Sequence, residues 1–246
     1  MKITDGVEML EISSINVMGK SAMNYPVILW DESTVILVDT GLPGQLPQLR
    51  QSFDAAGVDF NSLNKIIITH HDIDHIGNLS AIIKALPGKT AVLAHEAEIP
   101  YISGEKVPLK IAALEDKLDI LPENMKEFYF KIKGVFPTCT APVDEALQDG
   151  QELLCCGGIK VIFTPGHTLG HICLYLKKSK TLIAGDLLRI VDNNLMKADP
   201  SINYDTELSN KSLNKLLEYD IKSVICYHGG FFNDNVNQRI AELAAT

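Results

Sequence analysis

The sequence lacks the features that mark several large classes of protein. Its 22 lysines and arginines are outnumbered by 31 aspartates and glutamates, and the formal net charge of -9 disfavours binding to nucleic acid. Its five cysteines are an odd number without a disulfide spacing, which predicts reduced thiols. The N-terminus lacks an apolar leader segment, and no apolar run has the length of a membrane span. We therefore expect a cytoplasmic protein with no membrane partner and no nucleic-acid partner.

What the sequence contains is typical of a globular protein, with 46% hydrophobic and 22% charged residues, and we predict a single domain over residues 1–246. Apolar runs rich in β-branched residues predict strands, and apolar residues at helical spacing predict helices. A segment at about residues 99–136 carries three prolines and two helical patterns, and we interpret it as an inserted helical lid. The strands are predicted at residues 9–17, 26–30, 34–38, 65–68, 90–94, 159–163, 171–176, 181–184 and 223–226. The helices are predicted at residues 45–56, 75–85, 109–118, 123–133, 208–219 and 235–244.

The most informative segment follows the predicted strand at residues 65–68. His70, His71, Asp72, Asp74 and His75 stand within six positions, directly at the start of a predicted helix. Side chains on such a turn point in two directions. His70 and Asp72 could therefore serve one metal ion, and Asp74 and His75 a second. Crowding these groups without a cation would be costly, because like charges repel and burial removes water. A solvated turn that caps a helix would explain one aspartate and none of the histidines.

Three later strand ends carry further side chains that can bind a metal. His167 stands in a turn fixed by Pro165 and Gly166, Asp186 ends another strand, and His228 ends a third, before two glycines. Each of these residues alone is more often an ordinary polar residue. Their joint occurrence at strand exits predicts one metal centre, in which Asp186 could bridge two cations.

Together these residues resemble the motif set of the metallo-β-lactamase superfamily, which has an early strand-end Asp, H-x-H-x-D-H, a G-H-T turn, a bridging Asp and a final His. The resemblance runs from Asp39 to His228. It implies an α/β fold, an αββα four-layer sandwich of two mixed β-sheets with outer helices. It also implies a set of ligands in which His70, Asp72 and His167 hold one metal ion, Asp74, His75 and His228 hold the other, and Asp186 bridges them. Asp39 resembles the aspartate that orients the ligand turn, and we give His171 a supporting role beside the ligands.

Asp72 departs from the common motif, which has histidine at this position. A third carboxylate brings the metal cluster closer to neutral, which should hold cations tightly but make them weaker Lewis acids. It also enriches the first site in oxygen, which shifts its preference towards iron or manganese. The iron-binding flavodiiron branch of the superfamily also carries a carboxylate here, as glutamate. We predict two divalent metal ions, with zinc as the first choice and iron or manganese as the second.

The resemblance implies a dinuclear metal-dependent hydrolase in which a metal-bridging hydroxide attacks a small ester, thioester or lactone. Asp74 and Asp186 are predicted to be catalytic as well as metal ligands, by helping a proton to reach the leaving group. The same metals could serve a phosphodiesterase or nuclease, which the net charge of -9 disfavours. A metal-holding binding or sensing protein with little catalysis is the third hypothesis, which Asp72 keeps open. The expected partner is a small-molecule substrate, and the lid helices could line its pocket or form a homodimer contact.

Overall fold

The computed structural model describes residues 1–15 and 21–245. In this part of the chain the strands are β1 Lys2–Thr4, β2 Val7–Met9, β3 Ile12–Ile15, β4 Ser21–Asn24, β5 Val27–Trp30, β6 Val35–Val38, β7 Lys65–Ile68, β8 Ala91–His95, β9 Glu145–Leu147, β10 Glu152–Leu153, β11 Ile159–Phe163, β12 Ile172–Leu176, β13 Thr181–Ile183, β14 Leu188–Val191, β15 Asn194–Lys197, β16 Ser223–Cys226 and β17 Gly230–Phe232. The α-helices are α1 Leu46–Ala56, α2 Ile73–Ile76, α3 Leu79–Ala85, α4 Ile99–Ile102, α5 Leu109–Glu115, α6 Glu123–Val135, α7 Thr206–Asn214 and α8 Val236–Ala244. Within the described residues, no helix has both the length and the apolar character that crossing a membrane would need.

Most of these strands form two mixed sheets. The first sheet has the strand order β1-β2-β5-β6-β7-β8-β9, and the second has the order β10-β11-β12-β13-β16-β17. Neighbouring strands from β6 to β9 run parallel, as do β13 and β16, and the other neighbours are antiparallel. The pairs β3-β4 and β14-β15 form separate hairpins.

Strand β6 shows how the sequence produces four layers. All of Val35–Val38 is buried and apolar, as expected for a strand that is covered on both faces. Ile36 and Val38 belong to the core between the two sheets, whereas Leu37 belongs to the core between the first sheet and its helices. A third core joins the outer face of the second sheet to α7 and α8. The layers therefore run helix, sheet, sheet, helix, and the predicted αββα sandwich is confirmed.

The segment at residues 99–136 contains α4, α5 and α6. The helices predicted at residues 109–118 and 123–133 are observed as Leu109–Glu115 and Glu123–Val135. Ile111 and Tyr129 are buried in the core that covers the first sheet, whereas Phe130 is 61% exposed. The segment thus extends the outer helical layer over the first sheet and shares its core.

The structure differs from the predicted elements in several places. One strand is predicted at residues 9–17, but β2 ends at Met9 and β3 begins at Ile12; residues 16–17 lie outside the described residues. The helix predicted at residues 75–85 is divided into α2 and α3 around Gly77, where a Cβ atom would lie 2.4 Å from the Gly41 carbonyl oxygen. The hairpin β14-β15, the strands β1, β4, β9 and β17, and the short helix α4 are not among the predicted elements. The helix predicted at residues 208–219 is observed as α7, Thr206–Asn214. The other predicted strands agree with the structure to within one residue at either end.

Candidate metal centre

The strand exits of the two sheets deliver polar side chains to one edge of the sandwich. Parallel strands end at the same edge of a sheet, so the residues that follow β6 and β7 are neighbours, as are those that follow β13 and β16. The edges of the two sheets meet there, because His70 Nε2 from the first sheet lies 3.9 Å from Asp186 Oδ2 of the second. The predicted site residues at this edge are Asp39, His70, Asp72, Asp74, His75, His167, His171, Asp186 and His228.

Four of these side chains form what we call the first ligand group, which consists of His70, Asp72, His167 and Asp186. Asp72 Oδ2 lies 3.5 Å from His70 Nε2 and 2.9 Å from His167 Nε2. Asp186 Oδ2 lies 3.5 Å from His167 Nε2. The group therefore directs two imidazole nitrogens and two carboxylate oxygens at one small volume.

The second ligand group consists of Asp74, His75 and His228. Asp74 Oδ2 lies 3.8 Å from His75 Nε2 and 3.3 Å from His228 Nε2. Asp186 closes this group as well, with Oδ1 at 3.4 Å from His75 Nε2 and Oδ2 at 3.5 Å from His228 Nε2. Asp186 therefore faces both groups, as the sequence predicts for a bridging residue.

Except for the 2.9 Å hydrogen bond between Asp72 and His167, the spacing of these atoms fits a metal ion better than it fits direct hydrogen bonds. Ligands at about 2.0–2.2 Å from a tetrahedral ion stand about 3.3–3.6 Å from one another. The separations given above scatter around these values. Moreover, His70 Nε2, His75 Nε2 and Asp186 Oδ1 are buried and have no hydrogen-bond partner among residues 1–15 and 21–245. Buried polar atoms are rarely left unpaired, so their convergence on shared volumes indicates cation sites.

The electrostatic environment keeps the first ligand group in a form that can bind a cation. Burial, together with repulsion from His75, holds the pKa of His70 well below its usual value although Asp72 opposes the shift. Burial alone would raise the pKa of Asp72, but attraction to Lys110 and a hydrogen bond to His167 bring it well below its usual value. A neutral imidazole and an ionised carboxylate are the forms that metal binding requires.

Asp39 lies beneath the ligand turn and holds it in place. Its Oδ1 accepts a hydrogen bond of 2.8 Å from the Thr69 backbone N–H, and its Oδ2 accepts one of 2.8 Å from the Thr69 hydroxyl. The same Oδ2 lies 2.9 Å from His75 Nδ1. This contact holds a proton on Nδ1, and Nε2 faces the second ligand group.

His171 lies beside the ligand groups and is not a member of either. Its Nε2 accepts a hydrogen bond of 3.0 Å from the Asp186 backbone N–H, and its Nδ1 lies 2.9 Å from the Thr164 hydroxyl. Burial and repulsion from His167 lower the pKa of His171 to about 3, so the ring is neutral and can accept at Nε2. It thereby orients the turn that carries Asp186.

Tyr227 also contacts the ligand turn. Its hydroxyl donates to the Asp74 carbonyl oxygen at 2.5 Å and accepts from the Gly41 backbone N–H at 3.1 Å. The side chain is buried, so both hydrogen-bonding roles of the hydroxyl are directed into the protein. Tyr227 thus supports the turn, and a direct contact with substrate is not its role.

The structure adds Lys110, which the sequence does not single out. This side chain extends from α5 of the lid, and its Nζ donates to Asp72 Oδ2 and lies 3.0 Å from His167 Nε2. Its side chain is 30% exposed, and its Nζ lies against two ligand atoms of the first ligand group. No spacing rule connects a lysine on a lid helix with a turn 38 residues earlier, and only the packing of the lid reveals the contact.

Glu98 is the second residue that sequence reasoning misses. It follows β8, its side chain is fully buried, and its carboxylate contacts His71, Thr168 and Gly170. The His71 ring therefore faces Glu98, and it stacks on Tyr101 with ring centroids 4.5 Å apart.

Comparisons with known proteins identify the family of the chain. A family model described as the metallo-beta-lactamase superfamily matches residues 23–228. The chain is 28% identical to a probable metallo-hydrolase of Bacillus subtilis (strain 168), YflN, over 85% of this chain and 81% of that protein. It is 25% identical to a hydroxyacylglutathione hydrolase of Buchnera aphidicola, over 77% of this chain but only 60% of that enzyme.

A solved structure gives the same result for the fold. A metallo-beta-lactamase family protein from Thermus thermophilus superposes with a TM-score of 0.74 at 25% sequence identity. The superposition covers 99% of this chain and 80% of that protein. The structural similarity thus agrees with the family match.

Proposed function

Because the chain belongs to the metallo-beta-lactamase superfamily and is a metal-dependent hydrolase like its relatives, we propose that it is a dinuclear enzyme that hydrolyses a small ester, thioester or lactone. The observation that carries this proposal is the position of Asp186 between the two ligand groups. Its Oδ2 lies 3.5 Å from His167 Nε2 and 3.5 Å from His228 Nε2. A carboxylate in this position can bind two cations at once. A single cation would need it in only one of the two ligand groups.

Two divalent ions bound in these groups would supply a nucleophilic hydroxide near neutral pH and polarise the carbonyl oxygen of a substrate. The residues of the chain supply the orientation and the proton transfer. Asp74 keeps 24% of its side chain exposed beside His228, and we assign to it the transfer of a proton to the leaving group. Asp186 is nearly buried and fixes the spacing of the two groups.

The donor set supports zinc as the first choice of metal. Counting Asp186 in both, each group offers two imidazole nitrogens and two carboxylates, a mixture that zinc accepts in four-coordinate sites. The third carboxylate, Asp72, favours iron or manganese more than a histidine would. The ammonium group of Lys110 contacts Asp72 and offsets the added negative charge.

We also assign substrate binding to the lid. Lys110 brings the lid helix α5 to the first ligand group and keeps part of its side chain exposed. A partly exposed ammonium group beside a metal centre suits a substrate that carries an anionic group near the bond to be cleaved. The thioester remains in the proposed class because one relative is named a hydroxyacylglutathione hydrolase.

A panel of substrates tests this proposal. The purified chain would be stripped with a chelator, reloaded separately with zinc, manganese and iron, and assayed on an acyl thioester, an aryl ester, a lactone and bis(p-nitrophenyl) phosphate. We expect hydrolysis of at least one carbonyl substrate, lost in the stripped protein and in Asp186→Asn. Glu96→Gln, which alters an exposed carboxylate, is the matched control and should retain the activity.

Two outcomes would overturn the proposal. Hydrolysis of the phosphodiester alone would mean that the chain is a phosphodiesterase and not a carbonyl hydrolase. Metal binding without turnover of any substrate, with each of the three metals, would favour a binding or sensing protein.

A further inference from the structure

Glu98 is a buried carboxylate that has no place in the ligand groups. It stands in the turn between β8 and α4, and its side chain has 0% exposure. Burying a carboxylate is costly unless hydrogen bonds and charge partners compensate. Burial alone would raise the pKa of Glu98, but attraction to His71 and several hydrogen bonds lower it instead. The contacts of Glu98 therefore compensate its burial, and what these contacts hold together indicates what the group does.

Each oxygen of Glu98 contacts one of the two turns that form the first ligand group. Oε2 accepts a hydrogen bond of 2.8 Å from the His71 backbone N–H and also contacts His71 Nδ1. Oε1 accepts hydrogen bonds of 2.7 Å from the Thr168 hydroxyl and 2.6 Å from the Gly170 backbone N–H.

These partners adjoin the metal ligands in the chain. His71 stands between His70 and Asp72, and Thr168 directly follows His167. The ligand turn belongs to the first sheet and the turn of His167 to the second. One carboxylate therefore joins the two sheets at the point where the first ligand group is assembled.

We propose that Glu98 is a positioning residue that sets the spacing between the two turns of the first ligand group and so determines how tightly this group binds a metal ion. The inference rests on the proposed function only in taking the group to be a metal site. The described contacts of Glu98 reach the neighbours of His70, Asp72 and His167 but not Asp74, His75 or His228. The effect should therefore be selective for the first group.

The chemistry of the contact requires a carboxylate. A glutamine offers one acceptor oxygen and one NH₂ group. The backbone N–H of one of the two turns would therefore face the NH₂ group of the glutamine and lose its acceptor. Aspartate keeps the charge, but its shorter side chain cannot serve both turns at once.

The chain offers an independent perturbation at Gly170. A Cβ atom on Gly170 would lie 2.8 Å from Glu98 Cγ and 2.9 Å from both Glu98 Oε1 and the Glu98 backbone nitrogen. Gly170→Ala should therefore displace Glu98, backbone and carboxylate together, without any change of charge.

The test measures metal affinity in two backgrounds that each retain one complete group. His228→Ala removes a ligand of the second group, and His167→Ala removes one of the first. Zn²⁺ and Co²⁺ would be titrated against a competing chelator, and the thermal unfolding of each metal-free variant would be recorded. In the His228→Ala background, we expect Glu98→Gln and Gly170→Ala to weaken binding about 10- to 100-fold, the range for residues that orient metal ligands. Glu98→Asp should recover part of this loss.

In the His167→Ala background, the same changes should alter affinity by less than about threefold, and Glu96→Gln should have no effect in either background. An unchanged affinity in the His228→Ala background would overturn the proposal. Equal losses in both backgrounds would overturn it too, because they would reflect a general loss of structure. A chain that binds metal with this selectivity but hydrolyses nothing would refute the proposed function and leave this inference standing, whereas a wild-type chain that binds no metal would refute both.

Discussion

Replacing Asp39 by asparagine tests how the ligand turn controls the metal centre. Asp39 is 1% exposed, and its two oxygens serve the Thr69 backbone N–H at 2.8 Å, the Thr69 hydroxyl at 2.8 Å and His75 Nδ1 at 2.9 Å. Asparagine has almost the same shape but only one acceptor oxygen. The substitution therefore changes hydrogen bonding while it leaves packing intact.

Both orientations of the new amide are unfavourable. If its oxygen keeps the Thr69 N–H, its NH₂ group faces His75 Nδ1 and favours the tautomer with the proton on Nε2. That atom faces Asp74 and Asp186 in the second ligand group, where a proton blocks metal binding. If the amide turns round, the buried Thr69 N–H loses its acceptor, which costs about 1–3 kcal/mol of stability.

We expect metal affinity to fall about 10- to 100-fold, which corresponds to about 1.4–2.7 kcal/mol. Competition with a chelator would measure the affinity for Zn²⁺, and urea unfolding of the metal-free protein would measure the stability. Asp116→Asn, at an exposed carboxylate, is the control. An Asp39→Asn variant with wild-type metal affinity and wild-type stability would refute this reasoning.

The remaining predictions concern the metal, the lid and the turn of His167. Removing the metal should lower the melting temperature by about 5–11 °C, because free metal at a hundredfold excess over its Kd stabilises the fold by about 2.7 kcal/mol. Calorimetry with and without chelator measures this shift, and an unchanged melting temperature would argue against a resident ion. Lys110→Met should raise the affinity of the first ligand group for Zn²⁺ about tenfold, because a positive charge beside the group is lost. Chelator competition measures this affinity, and a lower affinity in the variant would contradict the prediction. Asp72→His should raise the preference for zinc over manganese about tenfold, measured by competition between the two metals, and an unchanged preference would contradict the role given to this carboxylate. Gly166→Ala should abolish metal binding to the first ligand group, because a Cβ atom there would lie 2.2 Å from the Ser209 backbone nitrogen. A folded variant that still binds as many metal ions per chain as the wild type would contradict this.

The ligands could be predicted from the sequence because their positions are local to strand ends. Strand β7 is an apolar β-branched run, and the polar residues that follow it begin at the strand exit. The same holds for Asp186 after β13 and His228 after β16. Once the strands are recognised, the topology of two sheets brings their ends together, and the resemblance to one family supplies the grouping.

Lys110 and Glu98 could not be predicted in the same way. Lys110 stands on a helix whose surface pattern is ordinary, and its contact with Asp72 depends on how the lid packs on the core. In the sequence, Glu98 is a charged residue in a predicted turn, where an exposed side chain is expected. The neighbouring residues do not indicate that it is buried between two turns. Contacts across sheets depend on tertiary packing, which hydrophobic periodicity does not encode.

The missed hairpin β14-β15 had a local signal. Asp192 and Asn193 both adopt positive φ, 48° and 61°, as the two-residue turns of tight hairpins require. Aspartate and asparagine are among the residues that tolerate this conformation best. The divided helix at Gly77 is different, because the glycine is needed for close packing against residues 41–43, which are distant in sequence.

We propose that seven side chains hold two cations that share Asp186. Anomalous diffraction at the metal absorption edge, from crystals of the metal-loaded protein, tests it directly. We predict two peaks about 3.5–4 Å apart, one among His70, Asp72 and His167 and one among Asp74, His75 and His228, with Asp186 between them. A single peak, or peaks away from Asp186, would contradict it.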